Sequence, residues 1–351
     1  MEKEILFYSG RGNYQLGVEY LKILSEVFGK DLKFEHLSIG FFPDEESDTQ
    51  IPYWDKIQDK VVVLHGSINK DSLEIEFKEL AWAIKRQYKA KYLIAVIPFL
   101  RYRRQDHPEK KDEIDRLRMI ISSLCNQGVD HLITVTPHSD KMSEYCEEFG
   151  ISFSALDVSY LAANAIGPML TDEENIIVYA PDQGSVARAV QVATHLPGSK
   201  VAFSLKNRGS NNGVSLKNNQ EDADVVIKNF IDKSEVLPIY VNEENTDSLI
   251  NGASIIMIED EIATGETANS TARRLEGWGA RVVYFIATHS VCTKGWRRKL
   301  FYKNPFAKIF LGDTLHRDYA SRTGGKVYDF SVASLISSEL VKIFKKLDSK
   351  E

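Results

Sequence analysis

Short apolar runs alternate with amphipathic stretches along almost the whole chain. Runs rich in β-branched residues at Ile5–Ser9, Lys60–His65, Tyr92–Ile97 and His131–Val135 have the length and composition of buried strands. Between them, apolar positions at helical spacing predict helices over Tyr14–Phe28, Leu73–Tyr88 and Ile114–Cys125. A second series of strands follows at Asn175–Tyr179, Lys200–Leu205, Ser254–Ile258, Arg281–Ala287 and Lys308–Leu311, again with helices between. Strands separated by helices of this length form βαβ units and parallel sheets. The pattern predicts an α/β protein of two domains, 1–155 and 156–330, joined near Ile151–Asp157. Each is a mainly parallel sheet flanked by helices. The final helix, Ser331–Lys346 within 331–351, can return to either domain, the first included.

The candidate chemistry sits where these strands end. In SIIMIEDEIATGET, Ser254–Thr267, an apolar strand runs into Glu259 and Asp260 and then a small-residue turn that opens a helix. Ligands of open α/β sheets bind at strand carboxyl ends. The turn Ala263-Thr264-Gly265-Glu266-Thr267 offers backbone amides and two hydroxyls to a phosphate, with carboxylates beside it for sugar hydroxyls. As a string it reads equally well as an ordinary βα turn with an acidic cap. PFLRYRRQDH, Pro98–His107, places several guanidinium groups at another strand end, suited to polyphosphate or simply to a basic surface turn. His138 in TVTPHSD and Asp182 in YAPDQGSVARA follow two further strands. Lys206 and Arg208 alternate at the end of Lys200–Leu205, where i and i+2 point the same way. They lead into Arg208–Asn219, rich in Gly, Ser and Asn, which reads as a mobile loop, 206–220 in all.

Composition narrows the setting. At 351 residues the chain can bury two cores, and its net charge of −6 argues against a general nucleic-acid binder. Cys125, Cys146 and Cys292 are far apart and odd in number, which excludes a disulfide framework and points to a reducing, cytoplasmic setting. The start, MEKEILFYSG, enters a strand without an apolar leader, and no run approaches membrane-spanning length. A concentration of cations, acids and phosphate-cradling turns at strand ends is the equipment of phosphoryl-type transfer. Such transfer calls for magnesium held by few protein ligands and the substrate's own phosphates.

The order and spacing of these elements resemble the ribose-phosphate diphosphokinases (phosphoribosyl pyrophosphate synthetases) over nearly the whole chain. FPDEESDTQI, Phe42–Ile51, is similar to that family's ATP-base element, carrying over Phe42, Asp44 and Glu46. RYRRQD carries over Arg104, Gln105 and Asp106 to the ATP side, and TVTPHSD carries over His138 to magnesium-ATP. YAPDQGSVARA places Asp182 on a ribose- and metal-linked aspartate, so that His138 and Asp182 are the implied metal residues. SLKNR places Lys206 and Arg208 on the catalytic cations of a flexible loop. IEDEIATGET places Glu259, Asp260, Ala263, Thr264, Gly265, Glu266 and Thr267 on the phosphoribosyl-binding loop. The resemblance implies two phosphoribosyltransferase-like domains, the first on the ATP side and the second binding the phosphoribosyl group. It also implies Mg²⁺, ATP as co-substrate, and a homo-oligomer (dimer or hexamer) whose neighbouring subunit contributes to the adenine site. The implied reaction moves the diphosphoryl group of Mg-ATP to the anomeric hydroxyl of ribose 5-phosphate, with release of AMP.

The sequence departs from the family pattern at informative places. The usual loop reads Asp-Asp-x-x-Asp-Thr-x-Gly-Thr, whereas here the first acid is Glu259, the third has become Ala263 and the glycine is Glu266. A carboxylate beside a phosphate dianion is unfavourable. A phosphate within a diphosphate linkage carries less charge, which makes ADP-ribose an alternative acceptor to ribose 5-phosphate. HPEKKDE after Gln105 and the long stretch Gly209–Gly252 depart too, and Thr136 stands where the family has an aspartate. A catalytically inactive member serving as a regulatory subunit would have lost the catalytic cations, and Lys206 and Arg208 are present. A phosphoribosyltransferase would leave the N-terminal ATP elements unexplained.

Overall fold

The computed structural model describes residues 5–35, 37–108, 110–171, 175–205, 220–231, 233–242, 244–315 and 318–349. The chain divides into two compact units, one of Met1–Asp157, Thr314–His316 and Ser331–Glu351, the other of Val158–Asp313 and Arg317–Phe330.

The first unit begins β1 (Ile5–Ser9), α1 (Tyr14–Phe28), β2 (Ser38–Phe41), β3 (Ser47–Gln50), β4 (Val61–His65), α2 (Asp71–Trp82) and β5 (Tyr92–Val96). It continues with α3 (Arg116–Gln127), β6 (His131–Val135), α4 (Lys141–Glu148) and β7 (Ser152–Leu156). Its main sheet has the order β1-β4-β5-β6-β7 with every pair parallel. β4 is buried at all five positions, as expected of a strand covered on both faces. α1 turns Leu16, Tyr20, Leu21 and Leu24 inward, and Gly17 lets it approach the sheet. A Cβ at Gly17 would sit 2.6 Å from the Phe34 ring. β2 and β3 form a separate antiparallel hairpin.

The second unit runs α5 (Ser159–Ile166), β8 (Ile176–Ala180), α6 (Val186–Ala193), β9 (Lys200–Phe203), α7 (Gln220–Lys228), β10 (Pro238–Tyr240) and α8 (Thr246–Ile250). Then come β11 (Ser254–Ile262), α9 (Glu266–Gly277), β12 (Val282–Ser290), α10 (Trp296–Leu300), β13 (Lys308–Gly312), α11 (Tyr319–Arg322) and β14 (Val327–Phe330). Its parallel sheet has the order β10-β9-β8-β11-β12-β13-β14, with β11 at the centre. The final helix, α12 (Ala333–Asp348), belongs to the first unit. There Phe344 packs on Phe7 and Phe28, Ser331 bonds Glu19, and Glu339 accepts from Ser154.

Several expectations change. β11 extends four residues beyond Ile258, so Glu259 and Asp260 lie within the strand rather than after it. The helix expected to Tyr88 is α-helical only to Trp82 and continues as a π-helical turn over Ala83–Gln87. The stretch Ile151–Asp157, expected as the joint, holds the edge strand β7, and the first unit's opening segment ends at Asp157. Like β7, the short strands β2, β3, β10 and β14 carry too few apolar positions for periodicity to mark them. No described helix is long and apolar enough to cross a membrane.

Candidate active site

In the second unit, strand pairing brings Asp182 and Glu259 together. β8 and β11 are neighbours, with Tyr179 opposite Met257, so the residues just past β8 lie beside the continuing β11. Asp182 caps a short 3-10 turn, Gln183–Ser185, accepting the Ser185 amide at 3.1 Å and its hydroxyl at 3.0 Å. The same hydroxyl lies 3.3 Å from Glu259 Oε2. Ser185 is buried, while Glu259 and Asp182 are half-exposed. Sequence reasoning gave Ser185 no role beyond opening a helix.

Because β11 runs straight through the two acids, their side chains face opposite sides of the sheet. Glu259 and Glu261 are half-exposed, whereas Asp260 is buried and its Oδ1 accepts the Glu261 amide at 2.8 Å. The strand then gives way to Ala263, Thr264 and Gly265. Gly265 is left-handed at φ 77°, and a Cβ there would meet the Cβ of Leu300 at 2.8 Å. α9 starts at once with Glu266, and its N-cap, Gly265, offers no side chain to the first turn. First-turn amides at the positive end of a twelve-residue helix favour an anion. Thr264 and Thr267 are exposed beside them, and Thr264 Oγ1 accepts the Glu266 amide at 3.3 Å.

The carboxylate that replaces the expected glycine has a partner. Glu266 Oε2 lies 2.7 Å from Lys299 Nζ on α10, and that ammonium holds its carboxyl below the usual range. No sequence signal identified Lys299, because the contact joins residues 33 apart. α10 is locked against this turn: the Cys292 amide bonds Ile262 O, the Thr293 amide bonds Ala263 O, and buried Asn269 donates to Leu300 O and Tyr302 O.

In the first unit, the strand-end loop after β5 and the end of β6 are joined through Asp106. Its buried carboxylate accepts from Ser139, the neighbour of His138, and from His107 Nδ1 at 2.8 Å. Burial raises its pKa, but these hydrogen bonds and the charge of nearby His138 outweigh that and leave it lowered. Asp106 therefore holds the loop, and Arg104, Gln105 and His138 are the exposed members of the group. Arg103 turns inward, donating to Thr136 O at 2.8 Å, and Arg101 pairs with Asp71. The β2–β3 hairpin exposes Phe42, Asp44 and Glu46 at its tip. The Phe42 amide bonds Glu46 O at 2.8 Å, and the Glu46 amide bonds Asp44 Oδ1 at 3.3 Å.

Lys206 and Arg208 lie outside the described residues. Among the described residues no group of three His, Cys, Asp or Glu side chains is gathered to hold a metal. Of the two implied metal residues, the half-exposed carboxylate of Asp182 has oxygen chemistry suited to magnesium, and the imidazole of His138 is a poorer match.

No family model matches the chain. A ribose-phosphate pyrophosphokinase of Sulfurisphaera tokodaii is 27% identical over 278 residues, 79% of this chain and 80% of that protein. One of Xanthomonas axonopodis pv. citri is 25% identical over 344 residues, 97% of this chain and 95% of that protein. Across nearly its whole length the chain is similar to ribose-phosphate pyrophosphokinases. It is accordingly an enzyme of the diphosphotransferase class. The crystal structure of phosphoribosylpyrophosphate synthetase from Mycobacterium smegmatis matches with a TM-score of 0.77 and 22% identity, over 98% of this chain and all of that one. That likeness bears on the fold, and both units are α/β domains built on parallel sheets flanked by helices.

Proposed function

We propose that this pyrophosphokinase moves the β,γ-diphosphoryl group of Mg-ATP to the anomeric hydroxyl of a ribose-5-phosphate compound. The anomeric oxygen bonds to the β-phosphorus and the bond from that phosphorus to the α,β-bridging oxygen breaks. AMP leaves with the bridging oxygen, and the hydroxyl proton passes to solvent. The observation that carries the reading is the start of α9 at the left-handed Gly265, on the same strand-turn-helix as Glu259.

The turn Ala263–Thr267 grips the 5-phosphate through amides and the Thr264 and Thr267 hydroxyls. Glu259, steadied by Ser185, and the strand-end Asp182 orient the ribose hydroxyls, while Asp260 stiffens the strand end from within. Lys206 and Arg208 supply the charge that the transferring group needs, as the sequence implies. On the ATP side, Phe42 offers a ring to the adenine, flanked by Asp44 and Glu46. Because the resemblance assigns this element to a neighbour's adenine site, the working form is a homo-oligomer. Arg104, Gln105 and His138 serve the phosphates, with Asp106 fixing their loop. Asp182 would hold Mg²⁺, which neutralises phosphate charge when bound.

Ribose 5-phosphate is the first acceptor to consider. The Glu266–Lys299 pair favours ADP-ribose as a second, since a carboxylate at the phosphate turn tolerates a diester-type phosphate better than a dianion. The test supplies Mg-ATP with either sugar and measures AMP. Release of AMP with at least one acceptor, lost in Lys206→Ala, is expected. Release with neither would overturn the proposal.

A further inference from the structure

Three side chains continue outward from the phosphate turn along one face of α9. Glu266 touches Lys299, Asn269 clamps the backbone at Leu300 and Tyr302, and the Arg273 guanidinium lies 5.6 Å from the Tyr302 ring centre. Positions 266, 269 and 273 share one helical face, and the series spans about two turns, roughly 10 Å. Tyr302 keeps 55% of its surface exposed, and buried Asn269 fixes the backbone that carries the ring. Lys303 reaches the same ring at 5.8 Å. A monophosphate sugar held in the turn needs none of this.

We propose that Lys299, Arg273 and Tyr302 form a second acceptor subsite, which takes a purine nucleoside phosphate joined to the 5-phosphate through a diphosphate bridge. The inference rests on the reading of Ala263–Thr267 as the 5-phosphate turn. Lys299 meets the second phosphate of the bridge, keeping Glu266 from repelling it. Beyond it the purine stacks on the Tyr302 ring, an electron-rich face that Arg273 already polarises. The chemical class of acceptor is then a nucleotide sugar with a free anomeric hydroxyl.

The experiment uses the full chain, Mg-ATP and ADP-ribose, reading AMP release, with thermal melting to check each variant's fold. Tyr302→Ala is expected to raise the KM for ADP-ribose about tenfold at nearly constant kcat, with Tyr302→Phe restoring it to within about threefold. Lys299→Met is expected to raise KM similarly. No turnover of ADP-ribose by the unaltered protein, or an unchanged KM in a folded Tyr302→Ala, would overturn the subsite. Thr267→Glu, which adds a second carboxylate to the turn in place of a hydroxyl, separates the two levels. Loss of ADP-ribose use there beside a silent Tyr302→Ala overturns the subsite alone. An unaffected Thr267→Glu overturns the reading of the turn and the subsite with it.

Discussion

The hydroxyl of Ser185 and the carboxylate of Glu259 lie 3.3 Å apart, tying the loop after β8 to its neighbour β11. Since that hydroxyl also faces Asp182 at 3.0 Å, one buried side chain sets the separation of two acids from different strands. Ser185→Ala removes the tie without touching the turn. A hydrogen bond to a charged group contributes about 1.5–3 kcal/mol, so the KM for the acceptor sugar should rise roughly tenfold or more. Steady-state kinetics against the sugar check this, and an unchanged KM would separate Ser185 from acceptor binding.

Gly265 cannot take a side chain cheaply. Its φ of 77° and the 2.8 Å approach to Leu300 mean that Gly265→Ala strains the turn and pushes on α10. A loss of about 1–3 kcal/mol is expected, with a melting temperature lower by several degrees and weaker acceptor use. Calorimetry on the purified variant reads the first effect and AMP release the second.

Glu266→Gly restores the residue the family uses. Removing a negative charge from the phosphate turn should lower the KM for ribose 5-phosphate several-fold. If the KM stayed where it was, the Lys299 pairing would already screen the carboxylate fully.

His65 makes the first unit sensitive to acid. The ring is buried among Tyr20 and Phe34, Nε2 bonds Asn13 O at 2.9 Å, and burial pushes its pKa from 6.5 down to about 4. The folded state thus binds the proton more weakly than the unfolded state. Stability is full above about pH 6.5, declines as pH falls toward 4 and levels off below, by on the order of 3 kcal/mol at most. Melting temperatures across pH 7.5 to 4 should fall less steeply in His65→Phe than in the unaltered protein. Parallel declines would show that another group governs the acid limb.

Much of this was legible in the sequence because parallel strands buried on both faces print themselves as apolar runs. The strands over Val61–His65 and Ser254–Ile258 fall where such runs stand. Edge strands print weakly: β7 is SFSAL, buried only at Leu156, and reads as a linker. The candidate turn was visible because a phosphate loop is local, one strand end and one helix start. Lys299 and Tyr302 were invisible because their value comes from packing against α9 across more than thirty residues. The acids Glu259 and Asp260 looked equivalent as neighbours, yet strand alternation gives them opposite faces.

The return of α12 to the first unit has a bearing on how the protein is made. Its contacts with Phe7, Phe28 and Ser154, and that of the preceding Ser331 with Glu19, join segments on either side of the second unit in the sequence. On the ribosome, the amino-terminal sheet must therefore wait, partly uncovered, while the whole second unit is synthesised and can fold. Of the two units, the one that begins first is the one that finishes last.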